Sequence, residues 1–159
     1  MTAQRRARLV GSLMLCFTGI SRFASEVAQR KIANLPRRQH DIEAMMAMTD
    51  EAAAIFADPR RDLDDIGRLL HESWQIKRAL ADGISSDAID DIYDAARQAG
   101  ARGGKLLGAG GGGFLLLYVD PEKRAAVADR LRGLIHVGFD IEHVGSRVVV
   151  YEPDGLEQR

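Results

Sequence analysis

The stretch "GARGGKLLGAGGGGFLLLYVD", residues 100–120, decides how this chain is read. Eight of the sixteen glycines fall between Gly100 and Gly113, and an apolar run follows at once. Ordering a glycine in a regular element costs about 0.5–1 kcal/mol more backbone entropy than ordering alanine. "GKLL" is strand-like, "GAGGGG" is a loop, and "FLLLYV" is a continuous apolar run of buried-strand type. Gly108, Gly110 and Gly113 satisfy G-x-G-x-x-G, but that fingerprint has meaning only between a strand and a helix. Here the loop leads into a strand, so a dinucleotide site is excluded. A P-loop is excluded too, because Lys105 is followed by Leu106 rather than Ser or Thr. Flexible connectors are polar and exposed, whereas four consecutive glycines between buried strands imply a backbone that comes very near something. Without Cβ atoms, successive N–H groups can turn inward to form an anion-binding nest. Gly108, Ala109, Gly110, Gly111, Gly112 and Gly113 are therefore the candidate phosphate-binding residues, with a purely structural turn as the alternative.

Outward from this loop, the periodicities predict four helices before it. "LVGSLMLCFT", residues 9–18, reads as a buried strand ended by Gly19. "ISRFASEVAQRKIANL" follows as a helix with Ser21 as a possible N-cap. Pro36 suits the first turn of a longer helix whose apolar positions run from Ile42 to Phe56, stopped by Asp58-Pro59. A third helix starts near Asp62 and ends before Gly83; a fourth, "SSDAIDDIYDAARQAG", closes on Gly100. After the glycine loop, Asp120 and Pro121 open a helix carrying Ala125, Ala128, Leu131, Leu134 and Ile135. "FDIEHV" and "SRVVVYE" then predict a hairpin about Gly145-Ser146. This order fits an α+β sandwich with helices on one face of a mostly antiparallel sheet.

The 159 residues are expected to form one domain, 1–159, with a strand-and-helix part over 9–100 and a loop, sheet and helix part over 101–153. A net charge of −1 gives no support to nucleic-acid or anionic-membrane binding. The single cysteine, Cys16, excludes an internal disulfide and reads as a small core residue. "RRARLVGSLMLCF" has the outline of a signal peptide, but Gly11, Ser12, Thr18 and Gly19 break the run and no A-x-A site follows. No segment reaches the ~20 apolar residues that span a bilayer, so a cytoplasmic location is expected.

Thr18, Gly19, Ser21 and Arg22 sit where a strand turns into a helix. There a helix N-terminus, a hydroxyl and a guanidinium can hold a phosphate or sugar hydroxyls. They are candidate substrate-binding residues, against an N-cap and a surface arginine. Lys77 lies one helical turn from the core candidate Trp74 and points the same way; it is a candidate for a substrate phosphate, or else a solvated lysine. Lys105 flanks the loop. His40, His71, His136 and His143 show no metal-ligand spacing, and no metal site is expected. "PRRQH" is a solvated face without aromatic interleaving.

Three segments together resemble the GHMP kinases, the family of galactokinase, homoserine kinase and mevalonate kinase. They are "FTGISR" (17–22), "LLHESWQIKRAL" (69–80) and the series from Ile89 to Gly113 that ends in "GGKLLGAGGGG". Within that family the pattern is most similar to heptose-phosphate and related sugar kinases. The resemblance implies a ferredoxin-like C-terminal domain, a βαββ-type sandwich with inserted helices. It implies that residues 108–113 lie beside the transferring phosphate, where fixed N–H donors stabilise charge. ATP and Mg2+ are the implied cofactors of the complete kinase, neither held firmly by this chain alone. The family's Pro-x-x-x-Gly-Leu-Ser-Ser-Ser loop and its N-terminal acidic residues do not occur here. The expectation is thus the C-terminal half of a sugar kinase, with no catalytic residue of its own and an N-terminal half as partner. A stand-alone domain that binds a phosphosugar without catalysis is the alternative, and an apolar face left open would favour a homodimer.

Overall fold

The computed structural model describes residues 1–21, 24–142, 145–149 and 151. Helix α1 (Ala3–Ser12) leads into strand β1 (Leu13–Phe17), followed by α2 (Ala24–Asn34), α3 (Gln39–Ala57), α4 (Asp64–Ala79) and α5 (Asp87–Gln98). Then come β2 (Ala101–Leu106), β3 (Phe114–Val119), α6 (Arg124–Arg130) and β4 (Ile135–Val137). The four strands form one antiparallel sheet in the order β2-β3-β1-β4. That order, with helices between β1 and β2 and between β3 and β4, is the ferredoxin-like arrangement. Strand β3 is central: Leu115 pairs with Cys16 on one side and Leu106 on the other.

Both faces of the sheet are buried. Leu115, Leu117 and Val119 pack with Met14, Cys16, Trp74, Tyr93 and Val127 in one core, while Tyr118 on the opposite face packs with Leu9, Leu13, Ile55, Leu63 and Leu69 in a second. A strand whose successive side chains alternate faces must be apolar at every position when both faces are covered, and "FLLLYV" is. Helices therefore lie on both faces, not on one. Helix α4 serves both cores, with Ile66 and Leu69 in one and Trp74 in the other. Its approach to β2 is close enough that a Cβ on Gly103 would overlap the Gly67 carbonyl oxygen.

Three boundaries differ from the expectation. Residues 9–12 are helical, because Thr2 caps α1 by accepting from the Arg5 amide and Arg5 ties that helix to the end of α3. The Arg5 guanidinium donates to the carbonyls of Ile55 (2.8 Å) and Arg61 (2.7 Å). Ile135 ends up in a strand, since Ile135–Val137 occupies the free edge of β1. With that edge taken, the described parts of the expected C-terminal hairpin form no strand; Val148, Val149 and Tyr151 are exposed. Residues 143–144, 150 and 152–159 of that hairpin lie outside the described residues. Asp120 does not cap with its side chain; its carboxylate accepts from Arg102 Nε at 2.7 Å. Among the described residues no helix is long and apolar enough to cross a membrane.

Candidate functional site

The glycine loop joins the ends of β2 and β3. The Leu107 amide donates to the Phe114 carbonyl at 2.8 Å, closing the last rung of the ladder, and residues 108–113 protrude beyond it. Five of these six have positive φ: Gly108 (69°), Gly110 (112°), Gly111 (78°), Gly112 (154°) and Gly113 (95°). L-residues rarely adopt such values. Space is a second reason for glycine. A Cβ on Gly110 would stand 2.9 Å from Cα, Cγ2 and O of Ile84, and one on Gly112 would overlap the Ile20 carbonyl. Part of the close approach that the sequence demands is thus to the fold itself.

Three segments hold the loop. In its middle, the Gly111 amide donates to the Ile84 carbonyl at 2.9 Å, in the connection between α4 and α5. At its exit, the Gly113 amide donates to the Ile20 carbonyl (2.9 Å), and the Gly113 carbonyl accepts from both the amide and the hydroxyl of Thr18 (2.9 Å each). At its root, the Lys77 ammonium donates to the carbonyls of Leu106 and Gly108, both at 2.7 Å. Lys77 is 7% exposed; burial, with the charges of Lys105 and Lys31, pushes it down to about 8. The amides of Gly108, Ala109, Gly110 and Gly112 find no acceptor among the described residues.

Gly108, Ala109, Gly110 and Gly112 line a cavity of about 290 Å³ whose wall also includes Phe17, Ile20, Ser21, Leu107 and Phe114. The Phe17 and Phe114 rings meet at a 5.2 Å centroid distance, tilted by 51°, and give it an apolar side. The arrangement is a concave patch of backbone donors beside aromatic carbon, suited to an anion attached to a less polar body.

The candidate residues divide accordingly. Gly108, Ala109, Gly110, Gly112, Gly113 and Ser21 all line the cavity. Gly19 turns the chain with φ of 74°. Thr18 is buried, its hydroxyl engaged by the Gly113 carbonyl and the Ile20 amide (3.3 Å), so it seats the loop. Lys77 is neither solvated nor aimed at the cavity; it grips the root of the loop. Arg22 lies outside the described residues. Lys105 turns to Ser73 Oγ at 2.8 Å, at the polar end of a larger, apolar cavity of about 570 Å³ between α3, α4 and the sheet. That cavity offers no cluster of anion donors, so size alone does not mark the site. His71 pairs with the buried Tyr93 hydroxyl at 2.7 Å, and burial lowers its pKa. The role of Ile84 was missed by sequence reasoning; a carbonyl partner carries no side-chain signature.

The family model "GHMP kinases C terminal" matches residues 40–135. D-glycero-alpha-D-manno-heptose 7-phosphate kinase of Campylobacter jejuni is 33% identical over 79% of this chain and 37% of its own length. The mevalonate kinase of Pyrococcus horikoshii is 29% identical over 82% of this chain and 40% of its own. Among solved structures, the L. major mevalonate kinase in complex with R-mevalonate superposes with a TM-score of 0.66. Its identity is 20%, over 78% of this chain and 40% of that one, a likeness of fold alone. The chain therefore spans about two fifths of the length of these relatives.

Proposed function

Because the chain belongs to the GHMP kinases, as a C-terminal domain of that family, we propose that it supplies the phosphate-facing glycine loop of an ATP-dependent sugar kinase. One observation carries the reading: Gly108, Ala109, Gly110 and Gly112, whose amides find no acceptor among the described residues, all line one cavity. Phosphoryl transfer needs little covalent help and much positioning and charge stabilisation. Fixed N–H donors do this without reorganising during the reaction. Ala109 and Gly112 would hold non-bridging oxygens of the transferred group, with the Lys77 charge behind the loop adding to the positive field. Phe17 and Phe114 would shield that group from water, and Ser21 with Gly19, beside the Arg22 position, would contact the acceptor. Identity to the heptose 7-phosphate kinase favours a heptose phosphate as acceptor.

ATP supplies the phosphoryl group. Its phosphates would lie in the cavity lined by Gly108, Ala109, Gly110 and Gly112. Magnesium usually keeps several waters and takes one or two carboxylates beside the substrate phosphates, and among the described residues no group of three or more His, Cys, Asp or Glu converges to hold it. No step is therefore routed through it. The acceptor's base and the metal ligands fall, on this reading, to an N-terminal half in the same cytoplasmic enzyme, and this chain alone is not catalytic.

Combining the chain with the N-terminal segment of the Campylobacter relative, and measuring ADP release, tests this. Turnover should require both parts and be faster with heptose 7-phosphate than with mevalonate. Tight binding of heptose 7-phosphate to the chain alone, with no turnover in the combined protein, would instead indicate a non-catalytic phosphosugar-binding domain.

A further inference from the structure

The geometry points to Lys77 as a positioning residue that aims the Ala109 amide into the cavity by pinning the Gly108 carbonyl on the opposite side of the same peptide plane. This inference rests on the phosphate-binding reading of the loop. A trans peptide is planar, and its C=O and N–H point in opposite directions. The Gly108 carbonyl is drawn 2.7 Å from the buried ammonium of Lys77, so the N–H of the next residue, Ala109, must face away from α4. Ala109 is one of the residues that line the cavity, which Lys77 does not. The same logic operates one turn of chain earlier. The Leu106 carbonyl is also held by Lys77 at 2.7 Å, and the Leu107 amide, on the far side of that plane, completes its bond to the Phe114 carbonyl. One side chain thereby sets two alternate peptide planes, 106–107 and 108–109, at the root of the loop.

Glycine makes such a clamp necessary. Gly108 has φ of 69° and open space around it, so nothing in its own contacts prevents the 108–109 peptide from flipping. Farther along, Gly111 and Gly113 are fixed by their own amide bonds to Ile84 and Ile20; the root has Lys77. Charge explains why the clamp is a lysine. A buried ammonium bonded to carbonyl oxygens gives charge-assisted hydrogen bonds and leaves its positive charge behind the amides that face an anion. A lysine that merely filled space would do neither.

The test is 15N-detected NMR of the full chain, titrated with inorganic pyrophosphate, for the wild type, Lys77→Met and Lys77→Arg. The expected result is a shift of the Ala109 and Gly112 amides on titration of the wild type. In Lys77→Met, affinity should fall tenfold or more, with resonances of β3 unchanged. In Lys77→Arg, which keeps a cation with N–H donors, most of the affinity should return. Undiminished affinity in Lys77→Met, or a loss that Lys77→Arg does not reverse, would overturn the inference. Should Lys77→Met not fold, Lys77→Gln decides on the same readout. A wild type that shows no shift would refute the phosphate reading. The clamp is then judged without ligand: the Ala109 amide of Lys77→Met must show new microsecond-to-millisecond exchange, and its absence would refute the clamp.

Discussion

Gly112 lies against the carbonyl of Ile20 with no room for a side chain, so this part of the glycine loop is set by the corner between β1 and α2. Substitution should therefore be graded along the loop. Gly108→Ala meets open space and only the cost of a left-handed conformation, about 1–2 kcal/mol. Gly112→Ala adds a clash with backbone that cannot yield, and Gly110→Ala a 2.9 Å contact with Ile84. Each should lose about 2–4 kcal/mol, the conformational cost plus overpacking. Urea denaturation of the three variants checks the order.

Thr18→Val keeps the shape of a buried side chain but removes its bonds to the Gly113 carbonyl and the Ile20 amide. The Gly113 carbonyl still accepts from the Thr18 amide, so the loss should be about 1–2 kcal/mol. Thr18→Ser should recover most of it in the same denaturation experiment, and pyrophosphate affinity should follow.

At the crossing of α4 and β2 two effects oppose each other. Gly67→Ala gains helix propensity, up to about 1 kcal/mol. The new Cβ would meet Arg102 Cβ at 2.8 Å and the Tyr118 ring at 3.1 Å, and overpacking costs about 1–3 kcal/mol. The clash should win, so the thermal midpoint should fall; a rise would show that α4 can slide.

Stability should rise between about pH 8 and 10. Burial and neighbouring lysines lower Lys77 from 10.5 to about 8, and burial lowers Lys105 in the same direction. Over the interval between the two values the unfolded chain binds the proton that the folded chain has released, so stability increases with pH. Above pH 10 the sign reverses. Tyr93 and Tyr118 are raised by burial from 10.0 to about 12, so the folded chain then keeps protons that the unfolded chain has lost. Denaturation midpoints for the wild type and Lys77→Met should show a shallower rise in the variant.

Some of this was legible in the residues and some was not. "FLLLYV" marked β3 from Phe114 to Val119, Asp58-Pro59 marked the end of α3, and Gly100, with φ of 115°, marked the end of α5. Each is a local signal, a run of side chains or a residue with special backbone freedom. The start of β1 was misread because "LVGS" is apolar enough for a strand, whereas the contacts that make it helical come from Ile55 and Arg61, some fifty residues away. The described part of the hairpin expected from Phe139 forms no strand for a similar reason: which segment takes the free edge of β1 is a competition, and Ile135–Val137 holds it. In the site, the glycines announced the loop, but the partners of Lys77 and Gly111 are carbonyl oxygens, which every residue has.

A crystal structure of the chain with a bound non-hydrolysable ATP analogue, which keeps the γ-phosphate that is transferred, is the most direct test of the central claim that the loop amides receive phosphate. The account predicts phosphate oxygens within hydrogen-bonding distance of the Ala109 and Gly112 nitrogens, beside Phe17 and Phe114. A nucleotide whose phosphates sit elsewhere, with the glycine loop unengaged, would contradict it.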